Sequence, residues 1–321
     1  MCGARCVSTR TRDYLLPSGG GEKWSGFRRR RSWSTANGRS AEKLSSVGEA
    51  LNSSPVTRHG NSVDVSEKNF EFLIEAALLA GGPDAYPTHP EAMGHPQPPG
   101  YGEFTPGGYR KRKSEDYDCA RCLIPKDVLD FIYATQPKEW EKFTKQHGSE
   151  AKDRLFSRLS SEVKNRGTLE VLRKGIKSDG CSFHLAYFRP SSGLNDELQR
   201  LYDANLFAAV RQLAYSERSA KTLDLAIFLN GLPIFTAELK NPLTGQNVED
   251  AVRQYRLDRD PKEPFFAFCR CLAHFAVDPD LVYVATHLQG PRTVFLPFNL
   301  GRSGGAGNPP SVNGLATGYL W

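Results

Sequence analysis

The stretch LDLAIFLNGLPIFTAELKNP, residues 223–242, contains the pattern that decides the fold. Two apolar runs flank an Asn-Gly dipeptide at positions 230–231, which favours a tight hairpin turn because both residues tolerate positive φ. Asp224 stands at the start of the first run, and Glu238 and Lys240 stand at the end of the second, on the same side of the strand. The stretch therefore predicts a β-hairpin whose open end carries two acids and a lysine.

The charge of the chain is concentrated near its beginning. The net charge is +6, and residues 1–50 hold ten Lys/Arg against four Asp/Glu, so the rest of the chain is balanced. A balanced domain has no global positive field to attract nucleic acid. Any DNA contact by the folded part would depend on local clusters such as Arg253, Arg256 and Arg259.

The cysteines and the apolar runs indicate a cellular compartment. The seven cysteines are odd in number and scattered, which favours a reducing compartment over a disulfide framework. The longest apolar runs have the length of strands, and no secretory signal is recognisable. We therefore expect a cytoplasmic protein with no membrane partner.

Composition divides the chain into two parts. Residues 1–65 are rich in Ser, Gly and Arg and lack periodicity, which predicts a disordered basic leader. A solvated leader is the favoured interpretation, and an arm that contacts DNA phosphates is the alternative. Residues 66–321 carry the periodic patterns of a folded domain. Residues 83–113 are rich in Pro and Gly and predict a surface excursion that ends in a polar tip at 110–113.

The periodic patterns predict an α/β fold. A first helix begins at Ser66, with an apolar face predicted at Phe70, Leu73, Ile74, Ala77 and Leu78. Further helices are predicted at residues 126–134, 138–147, 151–164, 194–205 and 248–257. Strands are predicted at 182–190, within 206–216, in the hairpin, and at 271–277, 281–286 and 293–296. These elements indicate a mixed central sheet flanked by helices.

The acids and the lysine of the hairpin form the pattern D-x13-E-x-K. Two carboxylates at adjoining strand ends suit Mg²⁺, which prefers oxygen ligands, and the backbone carbonyl of Leu239 is a further candidate ligand. Lys240 would position the attacking water and offset the charge that grows on the phosphorus. The alternative is that Glu238 and Lys240 form a surface ion pair while Asp224 only caps a turn.

A polar helix, VEDAVRQYRL, follows the hairpin closely. It carries Gln254 one turn after Asp250, and it places Arg253 and Arg256 where they can meet DNA phosphates. A solvated helix face is the alternative for these two arginines.

Several stretches resemble one family. AIFLNGLPIFTAELKNPLTGQNVEDAVRQY is similar to the nuclease core of the type I restriction endonuclease R (HsdR) subunit, a branch of the PD-(D/E)xK nucleases related to RecB-like enzymes. SEKNFEFLIEAALL, RGTLEVLRKGIK and FLPFNLGRSGGAGNP resemble the same family in the same order. The resemblance covers residues 66–321 and implies a restriction-endonuclease-like fold with its catalytic core at about residues 182–300.

The resemblance also implies site residues. Asp224, Glu238 and Lys240 match the catalytic triad, with both acids as Mg²⁺ ligands. Gln254 matches the glutamine of the Q-x-x-x-Y motif that contacts DNA, but Asp258 stands in place of its tyrosine, and the adjacent Tyr255 is the expected substitute. Glu71 matches an acid of the early helix that can add a metal ligand.

The family implies partners as well. Its members act on double-stranded DNA together with modification and specificity subunits, and ATP enters through a translocase motor. This chain has no G-x-x-x-x-G-K-[ST] motif, so we expect ATP to act only through a motor region beyond it. The expected function is Mg²⁺-dependent DNA cleavage. The alternative is a non-catalytic fragment that docks to DNA or to the other subunits.

Overall fold

The computed structural model describes residues 67–80, 108–191, 195–309 and 316–321. The predicted leader, residues 1–65, lies outside these ranges, and so does most of the predicted surface excursion. Within the described ranges, no helix is long and apolar enough to cross a membrane.

A mixed sheet forms the centre of the described part of the chain, as the sequence predicts. Its seven strands are, in spatial order, β1 (Arg110–Arg112), β4 (Phe207–Ala214), β5 (Thr222–Leu229), β6 (Leu232–Leu239), β7 (Ala273–Val277), β8 (Val282–Ala285) and β9 (Leu296–Pro297). The β1–β4 and β6–β7 pairs are parallel, and the other pairs are antiparallel. Two short strands, β2 (Ile176–Ser178) and β3 (Cys181–Phe183), form a separate antiparallel pair.

The predicted hairpin is confirmed as β5 and β6. Asn230 has φ 50° and Gly231 has φ 81°, so both turn residues adopt the left-handed conformation that this turn requires. Leu229 pairs with Leu232 next to the turn, and Leu225 pairs with Ala237 toward the open end. This register brings the beginning of β5 beside the end of β6.

Helices cover both faces of the sheet. They are α1 (Glu67–Ala80), α2 (Pro125–Thr135), α3 (Pro137–His147), α4 (Ala151–Arg166), α5 (Thr168–Lys174), α6 (Asp196–Asp203) and α7 (Val248–Leu257). Leu225 and Ile227 of β5 pack in the cluster that holds α1 to α5, whereas Ala226 and Phe228 pack in the cluster that holds Tyr255 of α7. Alternate residues of a strand point to opposite faces, so α7 lies across the sheet from α1 to α5.

The buried face of α1 differs from the prediction. Leu73 and Ala77 are exposed, whereas Glu71 and Glu75 are buried beside Ile74. The helix is therefore rotated so that two carboxylates face the sheet. Arg211 of β4 forms ion pairs with both acids, which compensates for the cost of burying them.

The predicted polar tip at residues 110–113 is instead β1, an edge strand. Arg112 donates to the buried carboxylate of Asp127 at 2.7 Å and 3.0 Å, and Lys111 donates to Glu75 at 2.9 Å. Ion pairs with neighbouring helices therefore hold a polar segment against the sheet, and charged side chains are common on such edges.

The predicted strand at residues 182–190 is shorter than expected, because only β3 is paired. Beyond it, the His184 N–H donates to Gln136 at 2.7 Å. The Tyr187 N–H donates a hydrogen bond to the side-chain oxygen of Asn205, and the Tyr187 carbonyl accepts one from the side-chain nitrogen of Asn205. Side-chain amides thus satisfy the backbone groups that a neighbouring strand would otherwise satisfy.

Three polar side chains form a buried chain between β6, β7 and α7. The Thr236 hydroxyl lies 2.8 Å from the Tyr255 hydroxyl and 2.8 Å from His274 Nδ1. Burial, with a smaller effect from the charge of His287, lowers the pKa of His274 to about 3. His274 is therefore neutral in the folded protein at pH values where an exposed imidazole takes up a proton.

We expect His274 to contribute less to the stability of the protein as the pH falls from 7 to 5. The ordinary pKa of histidine is 6.5, so the unfolded chain binds a proton at position 274 in this window and the folded chain does not. This difference lowers the free energy of unfolding by about 2 kcal/mol at pH 5. Denaturant unfolding of the protein and of His274→Gln at both pH values measures this contribution to the free energy of unfolding. The free energy of unfolding of the protein, minus that of the variant, should fall by about 2 kcal/mol between pH 7 and pH 5, and parallel curves would contradict the assignment. The comparison with the variant is needed because Glu238, whose pKa is raised to about 8, acts on stability in the opposite direction over this range.

Candidate active site

The open end of the hairpin brings the predicted triad together. Asp224 lies near the beginning of β5, Glu238 lies near the end of β6, and Lys240 follows β6 directly. Asp224 Oδ2 accepts a hydrogen bond of 2.8 Å from the backbone N–H of Leu239. This bond places the Asp224 carboxylate beside the last residues of the neighbouring strand.

Glu238 is fully buried, and its two oxygens have different surroundings. Oε1 accepts a 2.5 Å hydrogen bond from Arg259 Nε, whereas Oε2 is buried without a hydrogen-bond partner among the described residues. Burial and, to a smaller extent, the charge of Asp224 raise the pKa of Glu238 to about 8, although Arg259 and Lys240 act in the opposite direction. All three charges are therefore close enough to act on this carboxylate.

Arg259 lies inside the protein rather than on a DNA-facing surface. Its guanidinium donates to Glu238, to the Tyr215 hydroxyl at 3.3 Å and to the Thr222 carbonyl at 2.8 Å. It also lies 5.4 Å from the centre of the Tyr215 ring, and its side chain is 2 % exposed. The prediction that Arg259 contributes to a phosphate-binding cluster is therefore wrong, because its donors are used within the fold.

Glu71 lies near Asp224, and the side chain of Gln212 bridges the two carboxylates. Its Oε2 accepts from Arg211 at 3.2 Å and 3.3 Å, and its Oε1 accepts from Gln212 Nε2 at 2.8 Å. Burial raises the pKa of Glu71, and the nearby charge of Asp224 adds to this effect. Both carboxylate oxygens of Glu71 already accept hydrogen bonds, so neither is unused and available to a metal ion in this structure. Glu71 is linked to Asp224 through Gln212 instead.

Sequence reasoning did not identify three residues of this region, Glu75, Arg211 and Gln212, and it gave Arg259 a different role. The spacing of Glu75, four residues after Glu71, was an available signal, because it places both acids on one face of a helix. The strand FAAVRQLA carried another signal, since two adjacent polar residues interrupt an apolar strand. No pattern in the sequence indicated the partners of Arg259.

The residues of α7 that were predicted to contact DNA differ in their exposure to solvent. Arg253 is exposed and donates to Asp250 at 2.6 Å, and Arg256 is partly buried and donates to the Thr293 carbonyl at 3.1 Å. Gln254 is half-buried. Tyr255 is fully buried, and its hydroxyl lies within hydrogen-bond distance of the Thr236 hydroxyl. The structure therefore does not support Tyr255 as a direct DNA contact.

The described residues contain no group of three or more His, Cys, Asp or Glu side chains placed to hold a metal ion. The oxygens at the open end of the hairpin are the carboxylates of Asp224 and Glu238 and the backbone carbonyl of Leu239. The Leu239 N–H donates to Asp224, and the N–H and C=O of one strand residue point to the same side, so this carbonyl points toward β5, the strand that carries Asp224.

A comparison with known protein families gave a match. A family model described as the type I restriction enzyme R protein N terminus (HSDR_N) matches residues 132–293, just over half of the chain. The matched range contains Asp224, Glu238 and Lys240 and ends before β9. No curated protein matches the chain.

Proposed function

Because the chain belongs to the family of type I restriction enzyme R protein N termini, we propose that it is a Mg²⁺-dependent endonuclease domain acting on double-stranded DNA. One observation supports the site above all others. Asp224, Glu238 and Lys240 meet at the open end of the hairpin, and one oxygen of Glu238 is buried there without a partner.

The residues at this site fit a magnesium ion. A buried carboxylate oxygen without a partner is costly, and a cation would satisfy it. The Asp224 carboxylate and the Leu239 carbonyl would complete a set of hard oxygen ligands, with water molecules filling the remaining positions. When bound, Mg²⁺ supplies Lewis-acid activation of the scissile phosphate.

The protein's own groups account for the rest of the proposed reaction. Lys240 would orient the attacking water and offset the negative charge that grows on the phosphate oxygens. Hydrolysis forms one P–O bond to the water oxygen and breaks the P–O bond to the departing nucleoside oxygen, which takes up a proton. Arg259 holds one oxygen of Glu238 and thereby fixes the orientation of the other.

The proposal extends to partners and location. DNA would be held in part by Gln254, Arg253 and Arg256 on α7, and Glu71 would support the metal site from α1. The modification and specificity subunits of a type I system are the proposed protein partners, in the cytoplasm. The described cysteines, which are Cys119, Cys122, Cys181, Cys269 and Cys271, form no disulfide, in keeping with a reducing compartment.

The experiment that tests this function is cleavage of supercoiled plasmid by the chain alone and by the complex reconstituted with the motor region and the modification and specificity subunits. Glu238→Gln keeps an oxygen for Arg259 but removes the charge, so it should lower Mg²⁺-dependent cleavage by about 10²-fold or more. Glu141→Gln, which changes an exposed acid of α3, should leave the rate unchanged. Absence of metal-dependent cleavage in both preparations, with DNA binding retained, would favour the docking fragment.

A further inference from the structure

Gln212 has an unusual backbone conformation for a strand residue. It lies within β4 but has φ 48°, which is strained for any residue with a side chain. Consecutive residues of a strand normally point to opposite faces. Here the side chains of both Arg211 and Gln212 reach Glu71 on α1. The positive φ thus turns Gln212 toward the acids of the candidate active site.

The amide of Gln212 connects three groups. Its Nε2 donates to Glu71 Oε1 at 2.8 Å and to Asp224 Oδ1 at 3.4 Å, and its Oε1 accepts from the Thr222 hydroxyl at 2.6 Å. Because the Thr222 hydroxyl donates to the carbonyl end of the amide, the NH₂ end points between the two carboxylates. A donor in this place offsets the repulsion between two neighbouring acids.

This arrangement fixes the Asp224 carboxylate at both of its oxygens. Oδ2 is held at 2.8 Å by the Leu239 N–H, and Oδ1 is held more weakly by Gln212 at 3.4 Å. A weak bond of this kind restricts the rotation of the carboxylate and still leaves Oδ1 able to bind a cation. Glycine would adopt the same φ without strain. The presence of glutamine at this position is therefore explained by its side-chain amide and not by the backbone conformation.

We propose that Gln212 is a positioning residue that orients the Asp224 carboxylate for binding Mg²⁺, by linking it to Glu71 and Thr222. The inference rests on the proposed function, because it concerns the same metal site. Gln212 touches neither the substrate nor the reacting atoms in this role, and it acts through Asp224.

The decisive variant is Gln212→Gly. Glycine relieves the strain at φ 48° and removes the amide, so the melting temperature without metal should stay close to that of the unchanged protein. The Mg²⁺ dissociation constant, measured by isothermal titration calorimetry, should rise about tenfold or more. Cleavage should then require correspondingly more Mg²⁺. Ser303→Gly is the matched control, because Ser303 is exposed with φ 49° and should leave Mg²⁺ binding unchanged.

A second variant keeps the test valid if Gln212→Gly does not fold. Gln212→Asn tolerates the positive φ and keeps an amide, but it is one methylene shorter and cannot span Glu71 and Asp224. It should also weaken Mg²⁺ binding. If both variants bind Mg²⁺ as tightly as the unchanged protein while Asp224→Asn does not, the role of Gln212 is wrong and the metal site stands. If Asp224→Asn also binds Mg²⁺ normally, the proposed metal site itself is wrong.

Discussion

Replacing Asp224 by asparagine is expected to lower Mg²⁺-dependent DNA cleavage by about 10³-fold and to leave the fold intact. Asparagine keeps an oxygen that can accept the hydrogen bond from the Leu239 N–H, so no backbone donor loses its partner. It removes the negative charge that would bind the cation. Cleavage is measured as plasmid nicking, and folding is checked by thermal unfolding.

The variant Lys240→Met separates metal binding from hydrolysis of the phosphodiester. If Lys240 acts on the water and the phosphate, this variant should also stop cleavage but retain Mg²⁺ binding in calorimetry, whereas Asp224→Asn should lose both. DNA affinity should survive in Asp224→Asn, because removing a carboxylate reduces repulsion of the phosphates. Undiminished cleavage by Asp224→Asn would show that the triad is not the active site.

The features that were predictable from sequence depend on local chemistry. The Asn-Gly turn specifies the hairpin and the pairing of the residues next to the turn. Asp224 and Glu238 lie at similar distances from the turn, which predicts that they lie close together. Their exact register also depends on a β-bulge between Ile227 and Phe228, which no sequence pattern indicated. The helix at 248–257 was also predictable, since its N-cap and its apolar spacing lie within a single segment.

The features that were not predictable depend on pairings between distant segments. Glu238 and Arg259 are 21 residues apart, and no spacing rule relates a strand end to a residue beyond the following helix. The rotation of α1, which buries Glu71 instead of Leu73, also depends on a residue that is distant in sequence. An apolar pattern alone favoured Leu73 on the buried face, but Arg211 lies 140 residues after Glu71 and makes burial of that acid favourable. The positive φ of Gln212 likewise follows from partners on α1 and β5.

The turn of the hairpin should be a position where a small substitution causes a large loss of stability. A Cβ at Gly231 would lie 2.5 Å from the Ile124 carbonyl oxygen and 2.6 Å from Val128 Cγ2. The first of these is a backbone atom, and Ile124 also donates its N–H to the Gly231 carbonyl at 2.8 Å, so it cannot move away without losing that bond. With φ at 81° the added side chain is strained as well.

Gly231→Ala is therefore expected to lower the free energy of unfolding by about 3–5 kcal/mol, as severe overpacking and a lost backbone bond act together. Gly180→Ala is the matched control. Gly180 has φ 76°, but a Cβ there meets nothing within 4 Å, so it isolates the conformational cost of about 1 kcal/mol. Denaturant unfolding of both variants measures the difference. Equal losses would mean that close packing of α2 against the turn contributes little and that only the dihedral angle requires glycine.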